Sequence, residues 1–165
     1  MSMALPPAAR WPAHLRQIAC EAFERDDGLI ELEGLLTDTK PTPVRLAVDR
    51  DGLIREAQAY SEVSPYPECP GIEGAYGRLV GLRIGPGFAR EVKRLFRGTA
   101  GCTHMTELIP PMATILFQVL WADSDFRPVA GSVVGGRSPV GACHGLRLDG
   151  EVTRTYFTEG GPDAD

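Results

Sequence analysis

Apolar and polar residues alternate through much of the first half of the chain, which is the pattern of half-buried β-strands. The clearest case is VRLAVD (44–49), in which every second residue is a large aliphatic one. Residues 29–40 alternate less regularly, and residues 53–63 are rich in residue types that suit a half-buried strand. Residues 16–25 fit either a helix or a strand. The pattern therefore predicts a meander of three or four strands.

Turn signals separate these segments and indicate that neighbouring strands are antiparallel. Asp26, Asp27 and Gly28 form a DDG sequence, and Asp51-Gly52 follows the 44–49 segment. Asp-Gly pairs between strand-like segments are typical of hairpin turns. We therefore expect consecutive strands to pair as hairpins.

The second half of the chain has the spacing of helices. Residues 88–96 place apolar side chains on one helical face and mostly basic side chains on the other. Residues 105–121 repeat apolar residues every three or four positions, but Pro110 and Pro111 must kink this helix or begin a new one. Together these two segments predict helices that pack on the sheet through their apolar faces.

Two further segments give weaker signals. Residues 73–84 predict a short helix that its glycines weaken, and residues 142–157 predict a returning strand or hairpin around Asp149-Gly150.

Strands followed by helices predict the α+β class, with helices packed on one face of an antiparallel meander. A chain of 165 residues suits one domain. Glycine and proline clusters predict a flexible N-terminal arm (1–13), a single α+β domain (14–157) and a disordered acidic tail (158–165).

Composition narrows the class of protein. Hydrophobic residues make up 43% and charged residues 24%, as in a globular protein, and the net charge of −5 disfavours a nucleic-acid partner. No apolar run is long enough for a membrane span, and no signal peptide is visible. We therefore expect a cytoplasmic protein without a nucleic-acid or membrane partner. A small-molecule partner, a protein partner and a homo-oligomer all stay open.

The chain has 4 cysteines and 3 histidines, and in a cytoplasmic protein thiols indicate metal binding, catalysis or neither. Cys20 lies inside a predicted element and is expected in the core. Cys69 lies in a turn-rich loop, PYPECPG. Cys143 precedes His144, and its role stays open.

The stretch GCTHMTE (101–107) holds the densest group of potentially reactive side chains: a cysteine, a histidine and a glutamate. Thr103 is predicted to cap a helix that starts at His104, and Glu107 falls in the first turn of that helix. A helix N-terminus favours the thiolate form of a cysteine placed just before it. The alternative interpretation is structural, with Cys102 as a small hydrophobe and His104 as a core histidine.

Three functions follow from these residues. The first is a zinc or iron site formed by Cys69, Cys102 and His104, with Asp38 or Glu107, because these ligand types suit either metal. The second is a non-catalytic structural or interaction module. The third is a cysteine-dependent enzyme with Cys102 as nucleophile. The base in that enzyme would be His104 or a remote histidine, with Glu107 orienting it. His104 is expected to be a poor base, because residues two apart at a helix start point in different directions.

The ordered set RDDG (25–28), DTK (38–40), PYPEC (65–69), LVGLRIG (79–85) and GCTHMTEL (101–108) resembles an uncharacterised bacterial family with a GCTH-x-x-EL motif. This resemblance covers roughly residues 14–150. It implies no activity, because that family has none assigned.

The chain also resembles, more weakly, the iron–sulfur cluster scaffold fold (NifU/IscU-like). That resemblance implies a three-stranded meander before the helices, and ligand cysteines that match Cys69 and Cys102. An aspartate and a lysine near the end of an early strand of that fold loosely match Asp38 and Lys40. The family's first ligand cysteine is absent here, and the histidine follows Cys102 instead of preceding it. A complete three-cysteine cluster site is therefore not expected.

Overall fold

The computed structural model describes residues 14–38, 41–61, 64, 66–121 and 138–157. The predicted arm (1–13) and tail (158–165) lie outside these residues. The first half of the described chain is one antiparallel sheet whose strands follow each other in sequence order. These strands are β1 (Gln17–Glu24), β2 (Ile30–Thr37), β3 (Pro41–Val48) and β4 (Ile54–Ala59).

The first and last hairpins use the same type of turn. In the first, the N–H of Gly28 donates to the C=O of Arg25, and in the last, the N–H of Gly52 donates to the C=O of Asp49. Both glycines have φ of 82°, which is the left-handed conformation that this turn requires. The predicted turn signals are therefore confirmed. The ambiguous segment 16–25 forms a strand, because β1 pairs with β2 along its whole length.

The helices follow the sheet. A 3₁₀ helix (Cys69–Leu79) leads to α1 (Phe88–Leu95), and a short 3₁₀ turn (Gly98–Ala100) leads to α2 (Thr103–Trp121). A second short 3₁₀ turn (His144–Leu146) and α3 (Glu151–Tyr156) close the described chain.

Helix α2 packs on β1, β2 and β3 and contributes side chains to the hydrophobic core. Gly34 in β2 lets it come close, since a Cβ atom there would lie 2.6 Å from Sδ of Met112 and 3.2 Å from Cβ of Leu108. Burial alternates along β2, so one face of the sheet meets the helix. The fully buried side chains of this core include Leu32, Leu36, Leu46, Leu108, Ile109 and Met112. The predicted α+β class is confirmed.

The two prolines do not begin a new helix, because a single helix spans Thr103–Trp121. Pro110 is exposed and Pro111 is half-buried, while Ile109 and Met112 on either side of them are fully buried. Burial of the apolar face offsets the two hydrogen bonds that the prolines cannot donate.

Two weaker predictions are wrong in type or extent. Residues 73–84 fall mostly within a 3₁₀ helix that starts earlier and ends at Leu79. Residues 142–157 form a 3₁₀ turn and α3 instead of a strand or hairpin. Gly150 does not turn a hairpin, because its N–H closes a turn onto the C=O of Arg147 and its own C=O accepts from Arg154 in α3. The hydroxyl of Thr153 also donates to the C=O of Arg147, at 2.8 Å.

Candidate functional site

The candidate site is the start of α2, where the GCTH sequence enters the helix. The helix begins at Thr103, and the C=O of Cys102 accepts the N–H of Thr106 at 2.9 Å. Cys102 therefore occupies the N-cap position, one residue before the predicted cap at Thr103. The N–H groups of the first turn have no partner within the helix, so they point towards the Cys102 end.

The thiol of Cys102 contacts the imidazole of His104. Its Sγ lies 3.9 Å from Nδ1 of His104, within the range of a sulfur hydrogen bond, and both residues are half-buried. The expectation that these side chains point in different directions is wrong. Cys102 lies outside the helix, so its side chain does not follow the helical progression that separates residues two positions apart.

A buried tyrosine fixes the main chain of Cys102. The hydroxyl of Tyr76, in the 3₁₀ helix, accepts the N–H of Cys102 and donates to its C=O, both at 2.9 Å. The same hydroxyl lies 2.7 Å from Oγ1 of Thr106. Tyr76 is fully buried, and burial raises the pKa of its hydroxyl although the Thr106 and Cys102 hydrogen bonds oppose that shift. The loop before α2 is thus attached to the 3₁₀ helix.

Gly101 is required by the close approach of Phe96. A Cβ atom at Gly101 would lie 2.5 Å from Cβ of Phe96 and 2.6 Å from its C=O oxygen. Phe96 cannot easily move away, because its ring stacks on Tyr76 with centroids 4.4 Å apart. Packing against Phe96 therefore explains why the residue before Cys102 is a glycine.

The carboxylates predicted as metal ligands lie beside basic side chains. Glu107 forms an ion pair with Arg16, just before β1. Asp38, after β2, lies 2.8 Å from Nε2 of His14. Cys69 begins the 3₁₀ helix and is half-buried.

The predicted set is therefore only partly brought together. Cys102 and His104 are in contact, whereas no group of three or more His, Cys, Asp or Glu residues in the described part of the chain is placed to hold one metal ion.

The remaining cysteines differ in their surroundings. Cys20 packs against the core from β1, as predicted, and burial raises the pKa of its thiol. Cys143 is exposed.

Sequence reasoning missed three residues around this site. Tyr76 lies in a glycine-rich segment whose pattern did not indicate a buried side chain. His14 and Arg16 lie at the N-terminal edge of the predicted domain, where no pattern indicated partners for Asp38 and Glu107. The role of each residue depends on contacts between segments that are distant in sequence and that only the folded chain brings together.

Comparisons with known proteins give a family. A family model described as "Protein of unknown function (DUF2889)" matches residues 14–118, which is more than half of the chain. No curated protein and no solved structure matches the chain, so the likeness to iron–sulfur scaffolds stays an expectation. Within the described residues, no helix has the length and apolar character to cross a membrane. The chain belongs to the family of proteins of unknown function DUF2889.

Proposed function

We propose that the protein is a thiol-dependent enzyme in which Cys102 is the nucleophile and His104 takes its proton. The observation that carries this proposal is the 3.9 Å contact between Sγ and Nδ1. A thiolate is the reactive form of cysteine, and a neighbouring imidazolium together with a helix N-terminus stabilises it. The imidazole of His104 and the N-terminus of α2 both lie beside this thiol.

The structural alternative explains the main chain of Cys102 and the packing of its thiol, but not the contact of that thiol with His104. The hydrogen bonds between Tyr76 and Cys102 involve main-chain atoms of Cys102, so serine or alanine at this position would keep them. The thiol itself packs partly against the core and contacts His104. A purely structural role would need no imidazole beside it.

The chemistry that this pair supports is attack on an electrophilic acyl carbon. The proton of the Cys102 thiol passes to Nδ1 of His104, and Sγ forms a bond to the acyl carbon. The bond from that carbon to the leaving group breaks, and the leaving group takes the proton from His104. Water then attacks the thioester carbon and the bond from that carbon to Sγ breaks, so that the acyl group leaves as a carboxylic acid and Sγ regains a proton. N–H groups in the first turn of α2 would donate to the oxyanion that forms in each step.

Selective alkylation tests this proposal. We expect iodoacetamide at about pH 7 to modify Cys102 at least ~10-fold faster than Cys143, as measured by peptide mass spectrometry of the folded chain. Cys143 is a conservative control, since it is exposed and Cys102 is half-buried. Slower modification of Cys102 than of Cys143 would contradict the proposal. In that case the structural alternative predicts that Cys102→Ala lowers only stability.

Metal binding is the second candidate, because a cysteine and a histidine in contact are residue types that zinc takes as ligands. Zinc needs at least three protein ligands, and the described residues contain no such group around one point. A zinc or iron site of Cys69, Cys102 and His104, with Asp38 or Glu107, therefore stays a prediction.

Metal analysis of protein purified without a metal-affinity step tests this second candidate. One equivalent of metal that is lost in Cys102→Ala would support it. Substoichiometric metal that the substitution leaves unchanged would contradict it.

A further inference from the structure

An open cleft lies between α1 and α2, beside the start of β1. Its volume of about 870 Å³ falls within the usual range of roughly 300–1,000 Å³ for small-molecule sites. The cleft is lined by Arg16, Ala89, Val92, Lys93, Phe96, Arg97, Gly98, Thr103, Thr106, Glu107 and Pro110.

Positive charge dominates this lining. Three cationic side chains, Arg16, Lys93 and Arg97, face one carboxylate, Glu107. Glu107 is already paired with Arg16, whereas Lys93 and Arg97 have no ion pair with any residue that the structure describes. This surplus occurs in a chain whose net charge is −5, so the basic residues are concentrated locally.

Other basic residues of α1 do not share this arrangement. Arg94 is paired with Glu91 on the same helix and does not line the cleft. Arg90 also lies outside the lining. The cleft therefore contains Lys93 of α1 and Arg97, two residues after its end, and neither has an ion pair with any residue that the structure describes.

The rest of the lining is largely apolar. Val92 and Phe96 are buried and form its inner side, while Ala89 and Pro110 lie at the surface. A ligand that fits must therefore pair with cations and cover the exposed apolar side chains of the lining.

We propose that this cleft binds a small organic anion with an apolar body, of the medium-chain carboxylate class. The carboxylate accepts hydrogen bonds from Lys93 and Arg97, and the hydrocarbon covers the exposed side chains of Ala89 and Pro110. This proposal goes beyond the thiol chemistry and does not depend on it, because Cys102 does not line the cleft.

Calorimetric titration at low salt tests the proposal with three probes: octanoate, acetate and 1-octanol. We expect octanoate to bind with Kd below ~1 mM, and acetate and 1-octanol each to bind at least about tenfold more weakly, since neither supplies both the charge and the chain. Equal binding of octanoate and 1-octanol would overturn the claim that the ligand is an anion. Absence of saturable octanoate binding up to about 10 mM would overturn the site itself.

Matched variants locate the binding. The double variant Lys93→Ala/Arg97→Ala should weaken octanoate binding by about tenfold, whereas Arg90→Ala should change it less than about twofold. All three residues are exposed, and thermal unfolding of each variant checks the fold. Equal loss in Arg90→Ala would contradict the proposal by showing only a general effect of charge.

One further variant separates this proposal from the proposed function. Cys102→Ala removes the reactive thiol and should leave octanoate binding intact. Loss of octanoate binding in Cys102→Ala would contradict the independence of the cleft, whatever the alkylation experiment shows.

Discussion

The sulfur of Cys102 lies 3.9 Å from Nδ1 of His104, although the two residues are only two positions apart at the start of α2. The contact exists because Cys102 stays outside the helix while His104 is in its first turn. Its geometry therefore depends on the interactions that hold the main chain of residues 101–102. Tyr76 and Phe96 supply those interactions.

Tyr76→Phe should destabilise the fold. The substitution removes the hydroxyl that accepts the N–H of Cys102 and bonds Thr106 in a fully buried position, so we expect a loss of about 1–3 kcal/mol in the free energy of unfolding. Urea unfolding measures it. Tyr66→Phe is the matched control, since Tyr66 is 69% exposed and should change stability by less than ~0.5 kcal/mol. Equal stabilities of Tyr76→Phe and the unsubstituted chain would contradict the role given to this hydroxyl.

The same tyrosine predicts a loss of stability at alkaline pH. Burial raises the pKa of Tyr76, so the unfolded chain releases this proton at lower pH than the folded chain does. The contribution to stability is complete below the ordinary tyrosine pKa of about 10 and is lost as the pH rises through the folded value. The urea midpoint should therefore fall above about pH 10, and less steeply in Tyr76→Phe. Parallel pH profiles of the two chains would rule this out.

Gly101→Ala should damage both the fold and the thiol site. A Cβ atom would press on the main-chain oxygen of Phe96 at 2.6 Å, so the loop that carries Cys102 must shift. We expect a cost of about 1–3 kcal/mol and slower alkylation of Cys102. Gly71→Ala is the control, because a Cβ atom there meets nothing within 4 Å. Wild-type stability of Gly101→Ala would show that the loop adapts without cost.

The sheet could be predicted from the sequence because its signals are local. The alternation along residues 44–49 and the glycines at the hairpin turns can each be recognised from a few consecutive residues. Residues 16–25, RQIACEAFER, fit the residue spacing of a helix as well as that of a strand, and only pairing with β2 makes them a strand. The prediction of a strand or hairpin over residues 142–157 is wrong because an Asp-Gly pair such as Asp149-Gly150 also occurs at the start of a helix.

The candidate site was predicted only in part. Cys102 and His104 stood out because reactive residue types lie together in sequence, but their contact depends on which residue begins the helix. Tyr76 is 26 residues away from Cys102 and could not be paired with it from local patterns. The partners of Asp38 and Glu107 were likewise missed, since they come from the segment before β1.

Chemical rescue tests the central claim most directly. In a chain that keeps only Cys102 of the four cysteines, His104→Ala should slow alkylation at about pH 7 by at least ~10-fold, and added imidazole should restore much of that rate. The same imidazole should not accelerate alkylation when His104 is present, and a chain that keeps only Cys143 should be insensitive to both changes. Recovery of the Cys102 rate by imidazole is the result predicted for a proton acceptor at His104. An alkylation rate at Cys102 that neither His104→Ala nor imidazole alters would contradict the proposed thiol–imidazole pair.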